Sequence, residues 1–192
     1  ADPYALSPER AAEPDLGRQS DQMSLLYDDF LGQFTAPFVM ASVNTRVVRR
    51  SNALLGHGYG RAFRYREVMA LKKSVRGLMR GAVVTAGLGA LMASLMWPPA
   101  RRLVEKRLPQ PGEGPSLESR TSGGFTIRVV AEAEGGRRFV GHVVGVSDPG
   151  YNETAKMLSE AVLCLARGEG TERRGVLTPA TAFGMTLVER LR

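Results

Sequence analysis

The chain has 192 residues, 43% of them hydrophobic, which is enough to bury a sizeable core and too apolar for disorder throughout. Its single cysteine excludes an internal disulfide and fits a reducing, cytoplasmic compartment; two histidines without companion cysteines argue against structural zinc, and no metal is expected. A formal net charge of +7 favours anionic partners, and without a stacking platform or groove-reading motif nucleic acid is not expected among them.

Residues 1–22 carry Pro3, Pro8, Pro14 and Gly17 among polar residues, which predicts an irregular leading segment. With no initiator Met and no leader pattern, the sequence is expected to be a piece of a longer protein. Thr35 and Pro37 supply a helix-start signal, and Val39, Met40, Val43, Val47, Leu54 and Leu55 recur at helical spacing, so a helix is predicted over 36–55, ended by Gly56, Gly58 and Gly60. From Arg61 the period becomes two: Phe63, Tyr65 and Glu67 alternate with Arg64, Arg66 and Val68, as on a strand, which sets Tyr65 apart from the arginines.

A second helical pattern starts at Leu71 and runs into the uncharged stretch Gly81–Ala100. Bases bracket it: Lys72, Lys73, Arg76 and Arg80 before, Arg101, Arg102, Lys106 and Arg107 after. Its length is that of a marginal membrane helix, diluted by three glycines and closed by Trp97-Pro98-Pro99. A buried helix, a helix lying on anionic lipid as a peripheral attachment, and a spanning helix all remain open.

Two alternating runs, Phe125–Glu134 and Arg137–Val146, flank Gly135-Gly136 and predict a hairpin with a two-residue loop. That register pairs Glu134 with Arg137 and sets Phe125, Ile127, Val129 and Ala131 opposite Val146, Val144, His142 and Val140 on an apolar face. Asp148 and Pro149 then start a helix whose buried stripe is Ala155, Leu158, Val162 and Leu165, closed by Gly168; Thr178 and Pro179 start a last helix over 179–191. The expected fold is α+β, a single domain with a mixed, largely antiparallel sheet built on the 125–146 hairpin, helices packed on it, and no Rossmann unit.

Six arginines crowd the run Asn44–Glu67. Arg46, Arg49 and Arg50 share the helix and Arg61, Arg64 and Arg66 follow the glycines, so several guanidinium groups could converge on an anion or form a solvated face. The glycines of Gly56–Gly60 do not read as a dinucleotide cradle, because the order here is helix, glycines, strand rather than strand, glycines, helix. Gly112 and Gly114 read as a loop, His142 as a satisfied core histidine and Cys164 as an inert buried thiol.

Together, Pro37–Met40 (PFVM), Asn44–Glu67, Pro111–Ser116 (PGEGPS), Asp148–Leu158 (DPGYNETAKML) and Gly175–Gly184 (GVLTPATAFG) resemble the C-terminal half of saccharopine dehydrogenase-like oxidoreductases, nearest the actinobacterial trans-acting enoyl reductase branch. The resemblance implies a substrate-side domain of an NADPH-dependent enzyme, inactive alone, with NADPH held mainly by an N-terminal domain outside these residues. It implies an acyl or polyketide-type substrate, carried by a polyketide synthase or acyl-carrier protein, and allows a homodimer. Reduction of an enoyl group needs a proton donor, for which Tyr59 and Tyr151 are the candidates; Arg46, Arg49, Arg50, Arg64 and Arg66 are the candidate substrate or anion site. The alternative is a non-catalytic lipid- or membrane-surface module of the same fold.

Overall fold

The computed structural model describes residues 2–106 and 112–192, so Arg107 and Pro111 of the motifs above lie outside the described residues. The fold is α+β, with two separate antiparallel sheets in place of one mixed sheet. The chain divides into two compact units, one of residues 1–108 with 174–181 and the other of 109–173 with 182–192.

In the first unit, β1 (Leu26–Asp28), β2 (Gln33–Ala36) and β3 (Met69–Ala70) form a sheet with β2 in the middle. Tyr27 stands opposite Phe34, and their rings meet edge to face at 5.2 Å. Thr35, the expected helix cap, is instead a fully buried strand residue, and its hydroxyl accepts from Gln22 Nε2 at 3.1 Å. Pro37 lacks an N–H and follows the last residue of β2.

Helix α1 therefore begins later than the sequence suggests, at Ala41, and runs to Leu54. Its end is a Schellman turn: Gly56 has φ 64°, and the His57 N–H reaches back to the Asn52 carbonyl at 2.8 Å. The strand expected from Arg61 does not form. Residues 61–68 are irregular, although Phe63, Tyr65 and Glu67 are half-buried while Arg64 and Arg66 are exposed. The alternation is real, but no neighbouring strand lies along it, and the Tyr65 carbonyl is taken by the Arg49 side chain.

Helix α2 (Val75–Met96) starts at Ser74, whose hydroxyl accepts from the Gly77 N–H at 3.1 Å. Gly77 and Gly81 are its buried residues, packed on Lys72, Leu71 and Leu25. Proline at position 98 breaks the expected 81–100 helix, and α3 (Pro98–Glu105) follows an extended Trp97.

The second unit opens with α4 (Leu117–Ser122) and the hairpin β4 (Phe125–Glu132) and β5 (Arg138–Gly145). The hairpin exists, but its register is one residue from the expected one: Phe125 faces Gly145, Ile127 faces Val143 and Val129 faces Gly141. The loop holds three residues, Glu134, Gly135 and Gly136, because both glycines take positive φ, 89° and 79°, and Ala133 bonds to Arg137. The slip sets His142 opposite Arg128, and because both faces of the hairpin are largely exposed His142 lies in solvent and is not a core histidine.

Helix α5 (Asn152–Ala166) starts after the Asp148 carboxylate has accepted the Tyr151 N–H at 2.7 Å and ends in another Schellman turn at Gly168. The stripe read as its buried face is exposed at Ala155, Leu158, Val162 and Leu165; only Cys164, a free and fully buried thiol, points inward. The last helix is two short ones, α6 (Pro179–Phe183) and α7 (Thr186–Arg190), parted at Gly184 with φ 56°. Arg190 holds α7 to Glu160 of α5 at 2.7 Å.

Candidate functional site

The arginines of α1 are not a solvated face. Arg46 is buried in an ion pair with Asp21, whose second oxygen accepts from Thr45 Oγ1 at 3.0 Å. Arg49, 5% exposed, donates to the Tyr65 carbonyl at 2.8 Å and the Pro3 carbonyl at 3.3 Å, and lies over the Tyr4 ring. Burial pulls its guanidinium below the usual arginine range, with Arg46 acting in the same sense and Tyr4 and Asp21 opposing. Arg50 donates to the carbonyls of Leu6 and Val176, each at 2.6 Å. The irregular leading segment, which has no ladder to satisfy its carbonyls, is thus bound to the helix by guanidinium groups.

Beyond the glycine turn, Arg66 pairs with the buried Asp28 at 2.6 Å, and Arg64 reaches into solvent with no ion pair among the described residues. A cleft of about 250 Å³ opens between the leading segment and this loop, lined by Arg18, Gln19, Ser20, Asp21, Arg49, Arg64, Tyr65 and Arg66. Within it, Gln19 Oε1 and Arg49 Nε are buried atoms without a hydrogen-bond partner. The cleft is the candidate site: four guanidinium groups against one carboxylate, the latter already committed to Arg46.

The predicted site residues therefore separate. Arg49, Arg64 and Arg66 line the cleft, whereas Arg46 and Arg50 spend their donors on the fold. Arg18 and Tyr65 were not among the sequence candidates. Tyr65, expected apart from the arginines, sits among them; its hydroxyl donates to Glu67 Oε1 at 2.8 Å, and Asn44 Nδ2 donates to Glu67 Oε2 at 2.8 Å. Burial first, and the Glu67 carboxylate next, push the Tyr65 phenol well above the usual tyrosine range. No local sequence signal links Asn44 to Tyr65 and Glu67, because only the fold brings residues 23 apart into contact.

Tyr59 and Tyr151 lie in different units. Tyr59 is about half exposed at the glycine turn, its N–H bonded to Asn52 Oδ1 at 2.8 Å and its ring edge-on to Phe63; Tyr151 is about half exposed beside Gly114. Gly56 and Gly60 close a helix rather than open one, and Gly112 and Gly114 lie in a loop before the six-residue α4. The strand-to-helix connection from β5 to α5 carries Gly145 and Gly150 without the third, intervening glycine of a dinucleotide fingerprint, and among the described residues there is no cluster of three or more His, Cys, Asp or Glu that could hold a metal.

The site and the α+β frame define a two-unit protein with a basic cleft in its first unit. Over its whole length the chain is 43% identical to a provisionally named trans-acting enoyl reductase of Mycobacterium tuberculosis, of which it covers 48%. It is 41% identical, over 99% of its length, to the trans-acting enoyl reductases of Mycobacterium bovis and Mycobacterium leprae, covering 47% of each. The chain thus spans about half the length of the curated relatives it matches. No family model matches it, and no solved structure does.

Proposed function

We propose that the chain is the substrate-side, C-terminal portion of an enoyl reductase that uses NADPH on acyl or polyketide-type intermediates, of the saccharopine dehydrogenase-like kind. The observation that carries it is the end-to-end similarity to trans-acting enoyl reductases, proteins twice as long. On this reading NADPH is held mainly by a part of the relatives' length that this chain does not span, and this chain is inactive alone. The cleft supplies what a substrate side needs, a cationic wall for an anionic acyl carrier or phosphorylated tail: Arg64 and Arg18 are exposed, and Arg66 keeps about half its side chain exposed while paired. A polyketide synthase or acyl-carrier protein is the proposed donor of the substrate.

The test is NADPH oxidation by the protein at its relatives' full length with an α,β-unsaturated acyl thioester on a carrier protein. Turnover is expected, and Arg64→Ala should raise KM about tenfold with kcat little changed, because it removes binding that ground and transition states share. A full-length protein that neither binds NADPH nor turns over would overturn the reading and leave the non-catalytic surface module.

A further inference from the structure

We propose that α2 and α3 form a membrane-docking surface that lies in the headgroup boundary of one anionic lipid leaflet. The inference is independent of catalysis. Helix α2 has a mean hydropathy of 1.5 over its most apolar window, and only 6% of that window is buried. A helix apolar all round belongs in a protein core or in lipid, and this one is not in the core. Its first turns are docked, since Gly77 and Gly81 pack where any side chain would meet Lys72, Leu71 or Leu25. Past them Val83, Leu91, Met92, Leu95 and Met96 are exposed, and Trp97 follows, 65% exposed, at the position where an indole suits a membrane interface.

Charge selects the occupant. Residues 72–106 carry seven bases and one acid, Glu105, which is paired with Arg101 at 2.7 Å. A second copy of the chain would bring the same positive charge to the same face, whereas anionic headgroups would neutralise it. The bases also decide how the helix sits. From Gly81 to Met96 it is sixteen residues, about 24 Å at 1.5 Å each, short of the roughly 30 Å of a hydrocarbon core. Arg76 and Arg80 stand at one end and Arg101 and Arg102 just past the other, so a spanning helix would divide them between the two sides; lying flat, all meet one leaflet.

The experiment is flotation of the whole chain with vesicles of phosphatidylcholine alone or with phosphatidylglycerol, read alongside the emission of Trp97, the sole tryptophan. Binding is expected to phosphatidylglycerol vesicles, to weaken with salt, and to shift the emission to the blue. Met92→Glu with Leu95→Glu should lower partitioning about tenfold or more at unchanged far-UV circular dichroism, both side chains being exposed. Arg101→Gln with Arg102→Gln gives a second measure, about tenfold at low salt, should the first pair fail to fold. No flotation, an unmoved emission, equal binding to neutral vesicles, or a dimer in sedimentation velocity that Met92→Glu dissolves without any vesicle binding would each overturn the proposal.

Discussion

Helix α1 turns Thr45, Arg46, Arg49, Ser51 and Asn52 inward and leaves Val43 half exposed, whereas α2 turns two glycines inward and leaves its apolar length uncovered. The two helices depart from apolar-inside packing in opposite senses, and the cause lies in what each packs against. Helix α1 faces a leading segment whose carbonyls no ladder satisfies, with Asp21 and Thr178 beside it, so its inward side chains find partners there, Arg49 Nε in the cleft excepted; Ser51 Oγ and Thr178 Oγ1 meet at 2.7 Å in a buried hydroxyl pair. Buried polarity is cheap when every donor has an acceptor. Among the described residues, helix α2 fully buries only Gly77 and Gly81, at its first turns, and its exposed remainder is free to take a partner from outside.

The largest effect that would break this contrast is at Asp21. Asp21→Ala leaves the Arg46 guanidinium buried without its counter-charge, and Thr45 without one acceptor. A cost of about 3 kcal/mol in urea unfolding is expected. A cost below about 1 kcal/mol would mean that the arginine lattice of α1 is ornamental and that the leading segment is held by something else.

A smaller effect sharpens the contrast inside α2 itself. Gly77→Ala would drive a Cβ into the Lys72 carbonyl and should destabilise by about 2 kcal/mol, while Gly87→Ala, with nothing within 4 Å, should stabilise by up to about 1 kcal/mol through helix propensity. The same substitution ten residues along one helix thus changes sign where docking ends. Thermal unfolding of both variants without lipid reads this directly; two changes of the same sign would place the docked boundary elsewhere.

Much of the architecture was legible where the signal is local. The C-terminal glycines of α1 and α5 and the glycine loop of the hairpin each impose a backbone conformation that only neighbours need to satisfy. What escaped was decided at a distance. β1 and β2 are three and four residues long, too short to show a period. The hairpin register turned on whether Glu134 belonged to the loop, a difference of one residue that exchanges which residues of β5 stand opposite each face of β4. In the site, the arginines announced a cationic cluster, but which guanidinium groups stay available depended on carbonyls of Pro3, Leu6 and Val176, up to 126 residues away. The exposed stripe of α5 follows the same rule: periodicity shows that a face is apolar, and only the fold shows whether anything covers it.

The smallest effect concerns the start of α5, a helix that, like α2, leaves its apolar stripe exposed but whose first turn is tied to the residues before it by Glu153. Glu153 accepts from Ser147 Oγ at 2.9 Å and from the Val146 N–H at 3.2 Å, and these bonds, the serine foremost, hold its carboxyl below the ordinary glutamate value of 4.5. A carboxyl depressed in the folded state binds fewer protons there than in the unfolded chain, so its contribution is complete above pH 4.5 and is lost as pH falls through the lower, folded value. Glu153→Gln should therefore unfold at lower urea than the wild type at pH 7, with the gap closing towards pH 3. A gap that stays constant with pH would assign the difference to packing or helix propensity rather than to the carboxylate's bonds with Ser147 and Val146.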